Sequence, residues 1–414
     1  MRAAIAIGTS CCTFCSLAAL LLFVGGLHVA LRGRDAVDGL TIAMMPGDET
    51  RRALQAAILQ AMRTQDFSEV GAALGTRHAH AALLLGDARG PVWELEVGRV
   101  RLGEEYEVAS QSKIITALTV HQLMDVDTKV SAIFKEWKDD ASTQPPTTVR
   151  DVLGFTTGWD AMKKKGSAPG GCAYGVGTRT SWEECVKQLA ELPRPHAPGE
   201  YHLYGNWHLV LAAASALKAK GLPLSFESWV EAVQTQVFEP SGITDKPKFC
   251  ATGRIPALGL TPGIHGVDMP NFASGMCMSA RHLGAIQHAL QFGALKQHLE
   301  SFRVDATARA KGWSTGLFGN KTLGPGMWHY TQGAWLACDE ESSCGASLVI
   351  HSVGIFGAYA WMDLQNGYWG VFMYDWWQNL MVMAAQALVV ILSASVVAGV
   401  YGARGVPTVP PKRD

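Results

Sequence analysis

Ser110 and Lys113 stand three residues apart in Ser110-Gln111-Ser112-Lys113, just ahead of the apolar positions Ile114, Ile115 and Leu118. On a helix this spacing puts both side chains on one side of a single turn. A serine hydroxyl is a poor nucleophile until a base takes its proton, and an amine withdrawn from water can be that base. A helix N-terminus adds a field that favours developing negative charge. The pair could therefore carry covalent acyl transfer. Alone, Ser-x-x-Lys is a weak signal, because an exposed helix start explains both residues.

Two further segments add weight. Tyr204-Gly205-Asn206 follows Pro198-Gly199 and precedes the apolar run Leu209–Ala214. A turn before a buried helix would present both polar tips to one place; the alternative is that they cap the helix. Ile350-His351-Ser352-Val353-Gly354 closes a strand, where His351 and Ser352 could bond a substrate carboxylate or carbonyl. A structural histidine is the competing account of His351.

The elements that must bring these segments together can be read from periodicity. His80–Asp87 and Pro91–Gly98 are short apolar strands joined as a hairpin. Ala346–Val353, Phe356–Leu364 and Tyr368–Asp375 form a second β block, with the turn pair Asn366-Gly367 between its last two strands. Met45–Phe67 has helical spacing at Leu54, Ile58 and Met62. Between the β blocks lie helices and loops. The expectation is an α/β fold: an antiparallel sheet built from both chain ends, flanked by helices, with a helical region inserted and a cleft at the seam.

In order and context these motifs resemble the serine β-lactamase and penicillin-binding-protein superfamily, nearest to class C enzymes, DD-peptidases and related esterases. The match rests on S-x-x-K at Ser110/Lys113, Y-x-N at Tyr204/Asn206, and a K/H-[ST]-G strand motif at His351/Ser352. Supporting segments are YEVASQSKIITAL, TTVRDVLGFTTGW, APGEYHLYGNWHLVLAA, FEPSGITD and FASGMCMSARHLGAIQHAL. The resemblance implies a β-lactamase/transpeptidase-like fold. It also implies that Ser110 is acylated, Lys113 is its base and Tyr204 shuttles the proton. Asn206, His351 and Ser352 would hold substrate, and the N–H groups of Ser110 and Gly354 would form the oxyanion hole. Two positions depart from the family pattern: Val353 replaces a glycine, and Phe155 replaces the histidine before Thr156-Thr157-Gly158.

Composition narrows the remaining classes. Of 414 residues, 17% are charged and 48% hydrophobic, against roughly 25% charged in typical chains, so intrinsic disorder is excluded. A net charge of −1 provides no excess of cations for phosphates, and no nucleic-acid partner is expected. Residues 1–34 read as a signal peptide or N-terminal membrane anchor, because Ala3–Leu31 is uncharged and lies between Arg2 and Arg32. Residues 45–378 would be the catalytic domain. The uncharged 380–401 would be a terminal helix, transmembrane or packed on the sheet, and 402–414 a tail. This places the protein in the secretory pathway, membrane-associated, with its domain extracytoplasmic or luminal. Six cysteines outside the leader then point to disulfides. Cys338–Cys344 is the favoured pair, ahead of Cys172–Cys185 and then Cys250–Cys277. The sequon Asn320-Lys321-Thr322 would be used only in a luminal loop.

Other motifs carry less. Gly312-Trp313-Ser314-Thr315-Gly316 has the form of a G-x-S-x-G elbow, but its polar and Gly/Pro-rich flanks read as a loop. No metal site stands out, since His202 and His208 lack helical ligand spacing. No cofactor is called for, and the partner is a small-molecule or peptide-like substrate. The function expected is a serine hydrolase acting through an acyl-enzyme on a small ester or amide. The alternative, prompted by Val353, is a catalytically weak or inactive membrane-tethered binding protein on the same scaffold.

Overall fold

The first hairpin closes as its sequence dictates. β1 (Ala81–Asp87) and β2 (Gly90–Val97) turn where the Asp87 carboxylate accepts the Arg89 N–H at 2.8 Å, and Gly90 takes φ 108, open to glycine without cost. The computed structural model describes residues 81–139, 145–159, 181–250, 264–265, 269–314, 328–337, 349–354, 357–364 and 367–374. All of these belong to one unit spanning His78–Leu380. The regions expected at 1–34, 45–67, 380–401 and 402–414 lie outside the described residues.

The remaining strands are β3 (Tyr106–Glu107), β4 (Tyr201–Leu203), β5 (Lys248–Phe249), β6 (Ile264–His265), β7 (Met269–Pro270), β8 (Met276–Met278), β9 (Gly312–Ser314), β10 (Trp328–Tyr330), β11 (Trp335–Ala337), β12 (Val349–Gly354), β13 (Ala358–Asp363) and β14 (Tyr368–Tyr374). The main sheet has the order β10-β11-β12-β13-β14-β1-β2. Its two halves come from opposite ends of the chain and join where β1 runs antiparallel to β14, from Ala81↔Tyr374 to Asp87↔Tyr368. The fold is therefore mixed α/β with an antiparallel sheet, as the periodicity predicts. Asp363 pairs with Tyr368, so four residues rather than two connect β13 to β14, and Gly367 takes φ 71 at the end of that turn, a conformation open to glycine. β10 and β11 were not legible, because three residues are too few to show an alternating pattern.

Two helices form the centre. In Ser112–Leu123 all but His121 and Gln122 are buried, and in Trp207–Ala219 all but Lys218 and Ala219. The hydroxyls this takes out of water are satisfied within the core: Thr116 Oγ1 donates to the Phe272 carbonyl at 2.8 Å and Thr119 Oγ1 to Ile115 at 2.9 Å. Helix Ala280–Gln291 lies against the sheet behind a Ser279/His282 capping box.

One expectation needs correction. Gly312–Ser314 is not a loop but β9, which pairs in parallel with β4, Leu203 opposite Ser314. β4 supplies its pairing partner, and a strand as short as this one gains its order from that pairing rather than from propensity. Among the described residues, no helix is long and apolar enough to cross a membrane. Cys250 and Cys277 form a disulfide that ties β5 to β8, and Cys185 is also disulfide-bonded. Cys172, Cys338 and Cys344 lie outside the described residues, so the favoured pairing stands untested while the least favoured one is formed.

Candidate active site

Ser110 sits in a 3-10 turn, Ala109–Gln111, that leads into helix Ser112–Leu123. Lys113, one turn on, is 2% exposed. Its Nζ donates to Ser110 Oγ at 2.8 Å and to the Ala273 carbonyl at 2.8 Å, and stands 4.8 Å from the centre of the Tyr204 ring. Among the described residues no carboxylate pairs with it. The Ala273 carbonyl is aimed by a turn that the sequence does not announce: Asn271 Oδ1 accepts from the N–H groups of Ala273 and Ser274 at 3.2 and 3.1 Å. The serine turn is pinned from the same side, because Val108 donates its N–H to Met276 O at 3.1 Å and Met276 donates its own to Ser112 Oγ at 3.1 Å. The Cys250–Cys277 disulfide closes immediately beside that contact.

Tyr204 reaches the same point from the turn between β4 and the other central helix. It leaves β4 and donates its hydroxyl to Ser110 Oγ at 3.1 Å. Its ring is held by Trp335, stacked at 5.8 Å, and by the edges of Phe155 at 5.4 Å and Tyr330 at 5.8 Å. Asn206 occupies the N-cap position of helix Trp207–Ala219, yet its side chain makes no capping bond. The capping account of Tyr-x-Asn therefore does not describe it, and its amide is half-buried beside the tyrosine turn.

The strand β12 closes the other wall. β11 pairs with it only as far as His351, so the Ser352–Gly354 edge is left to the serine turn. Ser352 Oγ donates to the Ser110 carbonyl at 3.3 Å, and Gln111 Nε2 donates to the Ser352 carbonyl. Gly354 lies so close that a Cβ there would come within 2.2 Å of the Val108 carbonyl. His351 is not brought together with these groups, and its placement fits the structural account of it. It is 1% exposed, lies 5.8 Å from the Tyr359 ring and makes no hydrogen bond to Ser110, Lys113 or Tyr204. Side chains alternate along a strand, and it is Ser352 whose side chain reaches the serine. The backbone of Val353 pairs with Tyr359, while its side chain lies outside what is described.

The support behind Tyr204 is aromatic and uncharged. His202, His208 and His351 are all fully buried, and burial pushes each ring down to about 3, so they are neutral at any working pH. Burial pushes the Tyr330 phenol up, with the neighbouring Tyr204 adding to it. Ala109 at φ 44 and Phe155 at φ 60 are the described non-glycine residues in the left-handed region, each next to a part of the site. Asn271, His208, Thr157 and Trp335 were missed by sequence reasoning. They act through one carbonyl, one tautomer and ring contacts, none of which a motif records. Elsewhere, Glu105, Asp245 and His282 bring ligand atoms within 4.8 Å of one another and are the one described group able to hold a metal, but Lys248 already pairs with Glu105 at 2.7 Å.

A family model described as Beta-lactamase matches residues 64–394. Among solved structures, the chain is similar to EstCE1, a hydrolase with promiscuous acyltransferase activity, at 16% identity and a TM-score of 0.58, covering 84% of this chain and 100% of that one. It is similar to the simvastatin synthase LovD from Aspergillus terreus at 14% identity and a TM-score of 0.53, covering 80% and 96%. It is also similar to a penicillin binding protein from Bacillus halodurans at 14% and 0.50, covering 75% and 96%. At these identities the likeness is one of fold alone. No curated protein matches the chain by sequence.

Proposed function

The chain belongs to the beta-lactamase family, and from that premise we propose that it is a serine hydrolase cleaving a small ester or amide through an acyl-enzyme on Ser110. Members of the family are usually serine hydrolases. The observation that carries the reading is the meeting of Lys113 Nζ and the Tyr204 hydroxyl on Ser110 Oγ, at 2.8 and 3.1 Å. Two groups from separate segments, one on helix Ser112–Leu123 and one in the turn after β4, meet on one oxygen, which is more than either segment needs for its own stability.

In the proposed cycle Lys113, as the free amine, takes the Ser110 proton while Oγ attacks the substrate carbonyl. The backbone N–H groups of Ser110 and Gly354 receive the oxyanion. The carbonyl carbon then loses its alkoxide or amine, which leaves with a proton relayed by Tyr204. Water, giving its proton back along the same path, releases the acid and restores Ser110. Asn206 and Ser352 face the acyl group, and the buried His351 supports β12 from within. The Cys250–Cys277 disulfide and the uncharged Ala3–Leu31 segment support an extracytoplasmic or luminal site of action. The membrane-tethered, non-catalytic alternative has no support among the described residues.

Labelling with a fluorophosphonate and a penicillin probe, followed by mapping of the modified peptide, tests the reading. Label is expected on Ser110, lost in Ser110→Ala and nearly lost in Lys113→Ala, since the pair acts as a unit. Equal labelling of wild type and Ser110→Ala would overturn it.

A further inference from the structure

We propose that His208 is a positioning residue for Tyr204, fixing the turn behind the phenol by holding the Gly205 carbonyl. The proposal rests on the hydrolase reading, in which Tyr204 moves protons at Ser110.

The turn needs an external hold. Tyr204 is followed by glycine, the residue least able to fix its own peptide planes. A stiffer residue is excluded there, because a Cβ on Gly205 would come within 2.5 Å of the Trp207 ring. Asn206, next in line, provides no side-chain cap. The hold comes instead from the second residue of the following helix. His208 Nδ1 lies 3.3 Å from the Gly205 carbonyl oxygen, and its Nε2 lies 3.1 Å from Thr157 Oγ1.

These partners leave one arrangement of protons. A carbonyl only accepts, so Nδ1 carries the hydrogen and donates it. Full burial keeps the ring neutral, so Nε2 holds a lone pair and the Thr157 hydroxyl must donate to it. The ring cannot turn out of this setting, because Phe155 stacks on it at 4.9 Å, Trp207 at 5.8 Å and Trp159 leans on it at 4.8 Å.

Thr157 is itself tied to the approach of Tyr204. The carbonyls of Phe155, Thr156 and Gly158 accept from the N–H groups of Leu203, Gly199 and His196 at 2.9, 2.8 and 3.3 Å. His208 thus joins the helix after the tyrosine to the segment that flanks the strand before it. It makes no contact with Ser110, so its influence on the chemistry passes through Tyr204.

The test compares His208→Leu, His208→Asn and Thr157→Val with wild type on a short-chain ester, with active sites counted by the serine probe. His208→Leu should lower kcat per titrated site roughly 10- to 100-fold with KM nearly unchanged, the scale of a misplaced catalytic group. His208→Asn should recover most of that loss, because its amide nitrogen can donate to Gly205 as Nδ1 does. Thr157→Val, which leaves the Gly205 bond in place, should lose less than His208→Leu. A fall in melting temperature with kcat per site unchanged would overturn the proposal and leave His208 a packing residue. A second readout does not need turnover. In protein carrying ring-labelled 13C tyrosine, the Tyr204 resonance, assigned with Tyr204→Phe, should move in His208→Leu and return in His208→Asn. No movement would overturn the proposal whatever the activity. If the probe labels Ser110→Ala as well as wild type, the hydrolase reading fails, and the resonance still decides whether His208 positions Tyr204.

Discussion

Replacing Tyr204 by phenylalanine separates chemistry from packing more sharply than any other change at this site. The ring makes its contacts with Trp335, Phe155 and Tyr330 through its faces and edges, so Phe keeps all three. What is lost is one hydroxyl, 3.1 Å from Ser110 Oγ. A positioned acid–base group contributes about 10²- to 10⁴-fold, which corresponds to about 2.7 to 5.4 kcal/mol of transition-state stabilisation. The stability of the fold should change by less than about 1.5 kcal/mol, the net worth of one hydrogen bond. Tyr204→Ala would instead empty a ring-sized space among three aromatics and cost about 3–5 kcal/mol of stability, so its activity could not be interpreted. The assay is kcat/KM on a short-chain ester with thermal melts on the same preparations. Tyr204→Phe should lose at least a hundredfold in kcat/KM with a melting temperature near that of wild type. A variant within threefold of wild type would refute the argument that the phenol carries a proton, and would reduce Tyr204 to a wall of the site.

Two further outcomes follow from the described geometry. Gly354→Ala should lower kcat at least about a hundredfold, the cost of losing one oxyanion donor, because its Cβ would meet the Val108 carbonyl at 2.2 Å and push β12 away from Ser110; an active Gly354→Ala would place the oxyanion donor elsewhere. His202, His208 and His351 are held at about 3 in the folded protein, against about 6.5 unfolded. The unfolded chain therefore binds more protons than the folded one between those values. Their stabilisation is present in full above pH 6.5 and is lost as pH falls toward 3, at about 1.4 kcal/mol per unit for each ring. Thermal melts should be flat from pH 7 to 8 and drop steeply from 6.5 to 5, and a flat profile through pH 5 would show that these rings are not buried.

The parts legible in the sequence are those whose signal is local. The β1–β2 hairpin and the Gly367 turn could be read because turn chemistry acts within a few residues. Ser110, Lys113, Tyr204 and Asn206 could be read as motifs because each pair lies within one helical turn or one tight turn. His351 shows where this stops. The strand motif named the right segment, but the face on which a side chain stands depends on register against β11 and β13, and register is set by tertiary packing. β10 and β11 were lost for lack of length. The low rank given to Cys250–Cys277 has a related cause. Cys250 and Cys277 are 27 residues apart and meet only because β5 pairs with β8, whereas ranking by short loops favoured Cys338–Cys344.

The two left-handed residues bear on why the site tolerates so little freedom. Ala109 immediately precedes Ser110, and Phe155 opens the segment that grips the tyrosine turn. An L-residue in this region costs about 1–2 kcal/mol, and such conformations persist only where their surroundings over-determine them. Around Ala109 those surroundings are visible: its carbonyl accepts from Ser112 Oγ at 2.7 Å, and its neighbour Val108 is bonded to Met276. Around Phe155 they are the stacked rings of His202, His208 and Tyr330 and the bond from Leu203. One strained point fixes the nucleophile and the other fixes its proton relay, each through its own set of contacts. A neutral, stacked histidine suits the second better than a charged one would. It supplies a directed donor and a directed acceptor while carrying no charge of its own, and so holds Tyr204 in place without setting a cation behind the phenol.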